Sequence, residues 1–166
     1  MNIRKAKIED AKEIHELTIK ALFDDKNHEE KGFLKGQLSE KEYKSKIKEV
    51  EHFYIAIRKD AIVGFIWCID SIEYKKTSED TYGLIKDNDF YFIKQILSKD
   101  KEYVGKDLYD YLKGSISKDL YAAIYTNPSN TRSFNFHKKE NFVITEYIHK
   151  NEKTLVMTKY SFKKSN

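Results

Sequence analysis

Two hydrophobic rhythms alternate along this chain, and the places where one gives way to the other mark its elements. The clearest change lies between Asp89 and Ile116. Phe90, Tyr91, Phe92, Ile93, Ile96 and Leu97 form an apolar, aromatic-rich run that predicts a strand over Phe90–Leu97. Lys99-Asp100-Lys101-Glu102 breaks the run, and Val104, Leu108, Leu112 and Ile116 then recur every fourth residue, the stripe of an amphipathic helix. A helix that opens just beyond a strand offers unpaired backbone N–H groups at its start, a setting that suits a phosphate.

The same logic places the remaining elements. Asn2 to Lys7 predicts a first strand, and Asp10 with Glu13 a capping box for a helix whose shared face is Ile14, Leu17, Thr18, Ala21 and Leu22. Asp24 to Gly36 has no clean period and contains Gly32 and Gly36, so it reads as a loop or broken helix. Ser39 with Glu42 is a second capping box, ahead of a helix that buries Tyr43, Ile47 and Val50. Phe53–Ile57 and Ala61–Ile69 flank Arg58-Lys59-Asp60, a hairpin signal, and their nearly continuous apolarity predicts strands covered on both faces. Gly64 inside the second run predicts a bulge or a close backbone approach. Ser71 to Asn88 is polar and irregular, a long connection in which Asp70 and Glu73 read as ordinary loop charges. Tyr121–Tyr125 predicts a strand, Asn127-Pro128 a turn and Asn130–Glu140 a short helix. Phe142–Ile148 and Thr154–Phe162 predict two last strands. The order β-α-α-β-β-β-α-β-α-β-β belongs to a mixed α/β layer protein.

Composition narrows the class. The chain has 166 residues, 40% hydrophobic and 14% aromatic, enough for one domain with a substantial core over 1–166. Its net charge is +4, with Lys and Glu mixed along most of its length, so no nucleic-acid footprint is expected. Cys68 is the only cysteine and sits in an apolar run, which predicts an inert buried thiol. The histidines His15, His28, His52, His137 and His149 show no metal-ligand spacing, so no metal is expected. Met1-Asn2-Ile3-Arg4-Lys5 leads into charged sequence, and no apolar run is long enough to cross a bilayer. The expectation is a soluble, cytoplasmic protein with no membrane partner, a monomer or homodimer.

Three stretches resemble the GNAT superfamily of N-acetyltransferases. Ile3-Arg4 followed by Asp10 resembles its usual opening strand and helix start. Glu102-Tyr103-Val104-Gly105-Lys106-Asp107-Leu108-Tyr109 resembles its acetyl-CoA pyrophosphate loop, usually Gln/Arg-x-x-Gly-x-Gly/Ala. Val104, Asp107 and Tyr109 replace the signature residues there, while Gly105 and Lys106 match the common Arg-Gly-Lys-Gly-x-Gly form. Asn127 to Phe142 resembles the element Asn-x-x-Ala/Ser-x-x-Phe-Tyr-x-x-x-Gly-Phe through Asn130, Ser133, Phe136 and Phe142. His137 stands at the usual Tyr and Asn141 at the usual Gly; Asn tolerates the left-handed conformation that a helix C-cap needs.

The resemblance implies a mixed, mostly antiparallel sheet with helices on both faces, in which the strands Phe90–Leu97 and Tyr121–Tyr125 splay apart to admit acetyl-CoA. It implies pantetheine pairing near Ile96 and Leu97, pyrophosphate at Val104, Gly105, Lys106 and Tyr109, and further cofactor contacts at Asn130, Ser133 and Phe136. It implies direct acetyl transfer to an amine of a small molecule or peptide, with His137 giving a proton to the departing thiolate. The acidic positions Asp24, Asp25, Glu29 and Glu30 point to a basic acceptor or, equally, to a solvated loop. The alternative is a non-catalytic domain that keeps the fold and has lost the cofactor, since Asp107 brings negative charge toward a pyrophosphate.

Overall fold

The computed structural model describes residues 1–22, 33–34, 36–77, 85–99, 103–150 and 153–163. The acidic positions Asp24, Asp25, Glu29 and Glu30 lie outside the described residues, as do Gly32 and Lys101. Seven strands form one sheet in the order β1-β2-β3-β4-β5-β7-β6. They are β1 (Asn2–Lys5), β2 (His52–Arg58), β3 (Ala61–Asp70), β4 (Phe90–Ser98), β5 (Asp119–Asn127), β6 (Val143–Lys150) and β7 (Lys153–Tyr160). The pairs β1–β2, β2–β3, β5–β7 and β6–β7 are antiparallel, and β4–β5 is parallel. The expected fold class, a mixed and mostly antiparallel sheet with helices, is the one observed. The helices are α1 (Ala11–Ile19), α2 (Glu40–Glu49), α3 (Ser71–Lys75), α4 (Val104–Ser115) and α5 (Thr131–Lys139).

The described residues fall into two compact units. The first takes in those of Met1–Asp24, Phe33–Cys68 and Lys94–Ile116. Its centre is the β2–β3 hairpin, whose residues Phe53 to Ala56 and Ile62 to Cys68 are all buried, so both faces are covered as expected. Tyr43 of α2 packs edge-on against Phe53 and Phe65, and Phe53 stacks on Trp67 at 5.8 Å. The other face carries α4: Tyr111 meets Tyr54 edge-on at 4.9 Å. Lys59 and Asp60 turn the hairpin with both φ angles positive (50° and 61°), the backbone of a two-residue turn matched to strand twist.

Gly64 meets both expectations placed on it. The β2–β3 register shifts between Ala56 and Ile57, a bulge. A Cβ at Gly64 would also lie 2.7 Å from the Leu97 carbonyl oxygen, 2.9 Å from Val104 Cγ1 and 3.2 Å from Leu108 Cδ1. Strand β3 therefore passes under α4 and beside β4 only because this residue has no side chain. Next to it, Lys99 N–H donates to the Val63 carbonyl at 2.7 Å.

Two local expectations are corrected. Ser39 and Glu42 form their capping box, with Ser39 N–H donating to Glu42 at 2.7 Å and Glu42 N–H to the Ser39 hydroxyl at 3.3 Å. Asp10 and Glu13 do not. A 3₁₀ turn at Ile8–Asp10 precedes α1, so Asp10 is already helical and its carboxylate turns back to accept from Lys7 N–H (2.6 Å) and both Arg4 nitrogens (2.8 and 2.9 Å). Burial pushes the Asp10 carboxyl up, but the bonds from Arg4 and Lys7 outweigh it and hold it below its ordinary value. Glu13 instead accepts from Ile62 N–H at 2.7 Å. The second correction is α3, which opens the connection expected to be irregular; Asp70 caps it by accepting from Glu73 N–H at 2.8 Å.

The second unit takes in the described residues of Ile69–Ile93 and Ser117–Asn166. Parallel pairing of β4 with β5 runs over Phe90↔Asp119, Tyr91↔Leu120 and Phe92↔Tyr121, and β4 continues to Ser98. Tyr74 of α3 packs on Phe90 and Phe92, and Phe90 on Tyr121. At the start of β5 the Tyr121 hydroxyl donates to Asp87 at 2.7 Å, and Lys159 bridges Asp87 (2.7 Å) and Asp119 (2.8 Å). The outer strand β6 is paired to β7 through a register shift between Ile144 and Glu146, and its Val143, Ile144 and Tyr147 are exposed.

Each unit yields a stability prediction. Gly64→Ala forces backbone against Cβ, so it costs about 1–3 kcal/mol, the usual penalty for overpacking, read by urea unfolding. In the second unit, burial first and the Asp87 hydrogen bond second push the Tyr121 phenol up to about 12, while Asp119 and then Asp87 raise the Lys159 ammonium. Both folded-state values lie above the unfolded ones. Their contribution is therefore complete below pH ~10 and is lost as pH rises through the folded values. Tyr121→Phe should cost about 1–2 kcal/mol at neutral pH, a lost bond to a carboxylate, and the gap to wild type should close between pH ~10 and ~12. A gap that stays constant to pH ~12 would remove the phenol from the account.

Candidate functional site

In the first unit the chemistry gathers where β4 ends and α4 begins. Ile96 and Leu97 lie on β4, half-buried, and the Leu97 carbonyl is the atom closest to Gly64. Helix α4 starts at Val104 after Tyr103, an exposed residue whose φ of 53° places it in the left-handed region. A non-glycine residue held there costs of order 1–3 kcal/mol. The first bond of the helix runs from Asp107 N–H to the Tyr103 carbonyl at 2.9 Å. Val104, Gly105 and Lys106 thus form the leading turn, where helices present N–H groups outward and the dipole favours an anion.

The side chains of that turn have separate employments. Val104, Leu108 and Leu112, the expected stripe, are fully buried, and Ile116 closes the helix as its buried C-cap. Tyr109 is fully buried as well, with Lys113 over its ring at 5.3 Å. Lys106 forms an ion pair with Asp110 one turn along the same helix. Asp107 is half-buried in the leading turn.

Also in this unit, and not singled out by the sequence, is Gln95 on β4. The Tyr43 hydroxyl and Trp67 Nε1 both donate to its side-chain oxygen, at 2.9 and 3.0 Å, and its Nε2 donates to the Gly36 carbonyl at 3.2 Å. A lone glutamine in an apolar strand has no periodic signal to mark it. Burial, foremost, raises the Tyr43 phenol despite its hydrogen bonds.

In the second unit, α5 gathers the other expected residues. Asn130 is its buried N-cap, accepting from Ser133 N–H at 3.3 Å. Asn141 follows the helix with φ 66°, the left-handed C-cap expected of it, and Phe142 N–H donates to the His137 carbonyl at 3.0 Å. His137 is 3% exposed, edge-on to Phe142 at 5.2 Å and to Phe136 at 5.9 Å. Its Nδ1 lies 2.8 Å from the Ser133 carbonyl and 3.4 Å from the Ser133 hydroxyl. A carbonyl only accepts, so Nδ1 carries a proton. Among the described residues, no three His, Cys, Asp or Glu side chains converge as a metal site would require.

No protein-family model and no curated protein matches the sequence. Solved structures do match the fold. The protein smu.2055 of Streptococcus mutans UA159 aligns with a TM-score of 0.73 at 16% identity, over 97% of this chain and 99% of its own. An acetyltransferase of the GNAT family from Streptococcus pneumoniae aligns with a TM-score of 0.69 at 14% identity, over 98% and 99%. Arabidopsis thaliana Naa50, in complex with the bisubstrate analogue CoA-Ac-MVNAL, aligns with a TM-score of 0.66 at 17% identity, over 97% and 98%. The fold is that of the GNAT N-acetyltransferases, as the sequence resemblance implied.

Proposed function

From this fold we propose that residues 1–166 act as a single acetyltransferase domain that moves an acetyl group from acetyl-CoA directly to an amine. The observation that carries the reading is the leading turn of α4: a left-handed Tyr103, then Val104, Gly105 and Lys106 ahead of the first helical hydrogen bond. Backbone N–H groups and a helix dipole suit a pyrophosphate whatever the side chains are, so the replaced signature residues leave this device standing. The pantetheine arm would pair with the β4 backbone at Ile96 and Leu97, and Tyr109 would hold the turn from within the core. The family resemblance adds Asn130, Ser133 and Phe136 of α5 to the residues proposed to contact the cofactor.

Acetyl-CoA brings an activated thioester; the protein orients it and manages protons. The amine nitrogen attacks the thioester carbonyl, the C–N bond forms, the C–S bond breaks and the departing thiolate takes a proton. His137 is the assigned donor. With Nδ1–H held by Ser133, the proton it gives comes from Nε2 of the doubly protonated ring. Turnover then falls as rising pH removes that proton, whereas the amine must lose its own before attack, so the profile is bell-shaped. The bisubstrate analogue CoA-Ac-MVNAL seen with Arabidopsis thaliana Naa50 supports a peptide amine as acceptor, with a small-molecule amine as the other form of the same reading.

Asp107 favours the competing reading, a binding domain without catalysis, because it puts a carboxylate in the first turn of α4, where the pyrophosphate would lie. Calorimetry with acetyl-CoA separates the two. The expected result is binding with a dissociation constant of micromolar order or weaker, about −8 kcal/mol or less. Asp107→Asn should tighten it roughly twofold to fivefold, the worth of one surface charge. No heat and no thermal shift at millimolar acetyl-CoA would end the enzyme reading. For the proton donor, His137→Phe should lower turnover by roughly ten- to ten-thousand-fold and leave acetyl-CoA affinity unchanged. Full turnover with an unaltered pH profile would make the ring a packing element between Phe136 and Phe142.

A further inference from the structure

The side chain of Gln95 is fixed in a way that few half-buried amides are. Trp67 Nε1 can only donate, and it points at the Gln95 oxygen from 3.0 Å. The Tyr43 hydroxyl donates to the same atom from 2.9 Å. Together they settle which end of the amide is oxygen and saturate its acceptor sites. The nitrogen end has two hydrogens. One goes to the Gly36 carbonyl at 3.2 Å; the other meets no acceptor among the described residues. Gln95 is half-buried, and that remaining N–H is held in direction by three partners of its own amide.

The face on which this donor sits matters. Phe53, Phe65 and Trp67 share one face of the hairpin with Tyr43 of α2, and Gln95 joins them through Tyr43 and Trp67. Helix α4 lies on the opposite face, over Gly64 and Tyr54. A cofactor held by the leading turn of α4 and a molecule held by Gln95 therefore belong to opposite sides of β4. From this, and resting on the acetyl-transfer reading above, we infer that Gln95 is a specificity-determining residue for the acetyl acceptor. The N–H that meets no acceptor among the described residues receives a carbonyl or carboxylate oxygen carried close to the acceptor's amine. Tyr43 and Trp67 are the positioning residues that aim it. The acceptor class is thus an amine that also bears such an oxygen, as amino acids, amino acid amides and peptide N-termini do, in preference to a plain alkylamine.

The test pairs two acceptors, glycinamide and ethylamine, with two variants. Gln95→Glu keeps an oxygen for Tyr43 and Trp67 and removes the N–H donor; Gln95→Met removes both functions. The expected result is a rise of tenfold or more in KM for glycinamide in each variant, a change below about twofold for ethylamine relative to that rise, and an unchanged KM for acetyl-CoA, since a missing partner for one hydrogen bond is worth about tenfold. The added charge of Glu acts on both ammonium groups alike, so the ratio of the two KM values isolates the oxygen. A ratio unaltered in both variants overturns the inference. A second readout needs no turnover: the side-chain NH₂ resonances of Gln95 in the ¹⁵N-labelled protein, assigned by their loss in Gln95→Glu, should shift on titration with glycinamide and not with ethylamine. If acetyl-CoA fails to bind, the enzyme reading falls, and these resonances still decide whether Gln95 takes an oxygen-bearing ligand. No shift with glycinamide, glycine or glycylglycine rejects it.

Discussion

The first unit is built around a missing side chain. At Gly64 the strand β3 comes within one carbon's reach of the Leu97 carbonyl and of Val104 and Leu108 on α4. The position of Leu97 beside β3 and the seating of the first turn of α4 both require that this site stay empty. The bulge at the same place, and the bond from Lys99 N–H to the Val63 carbonyl, hold the end of β4 against β3 just before the chain leaves for α4. A strand end and a helix start are thereby fixed with respect to one backbone, which is what a site made mainly of backbone donors needs. The proposed phosphate turn would tolerate its replaced side chains for a related reason. Val104, Asp107 and Tyr109 stand at the signature positions of the loop, yet an N–H group does not depend on the side chain attached to its residue.

Polar groups in the two units show how differently a protein can employ them. Arg4, Asp10 and the Lys7 N–H close on one another, and Asp87, Tyr121, Lys159 and Asp119 do the same around the start of β5; each set finds its partners within the fold. Gln95 differs because, among the described residues, its oxygen accepts two bonds while its nitrogen gives one, the asymmetry on which its proposed role in recognition rests. His137 stands between these cases: one nitrogen is tied to the turn behind it and the ring is packed between phenylalanines.

What could be read from the sequence follows from the range of each interaction. Long apolar runs and fourfold spacing carry their own evidence, so β2, β3, β4 and α4 were legible nearly to their ends, and the Ser39–Glu42 box was legible because both partners lie within one turn. Asn141 was legible because a backbone angle is a property of one residue. The Asp10–Glu13 box failed because Arg4, on a strand, and Ile62, far along the chain, claimed the two carboxylates. Helix α3 escaped notice because it is one short turn whose cap, Asp70, is also the last residue of a strand. Gln95 escaped because its meaning lies in partners 52 and 28 residues away. The resemblance reached the fold; the employment of each side chain within it depended on contacts that spacing does not encode.

The outer strand β6 carries a consequence for the protein in solution. Val143, Ile144 and Tyr147 would make a straight edge a ready template for another strand, the geometry from which sheets extend into aggregates. The register slip between Ile144 and Glu146 falls in the middle of that stretch. A bulge there twists the strand and throws its outward N–H and C=O groups out of step, so an incoming chain can match one half of the edge but not both. The irregularity is thus a safeguard: it lets an apolar border face water without inviting copies of itself to stack.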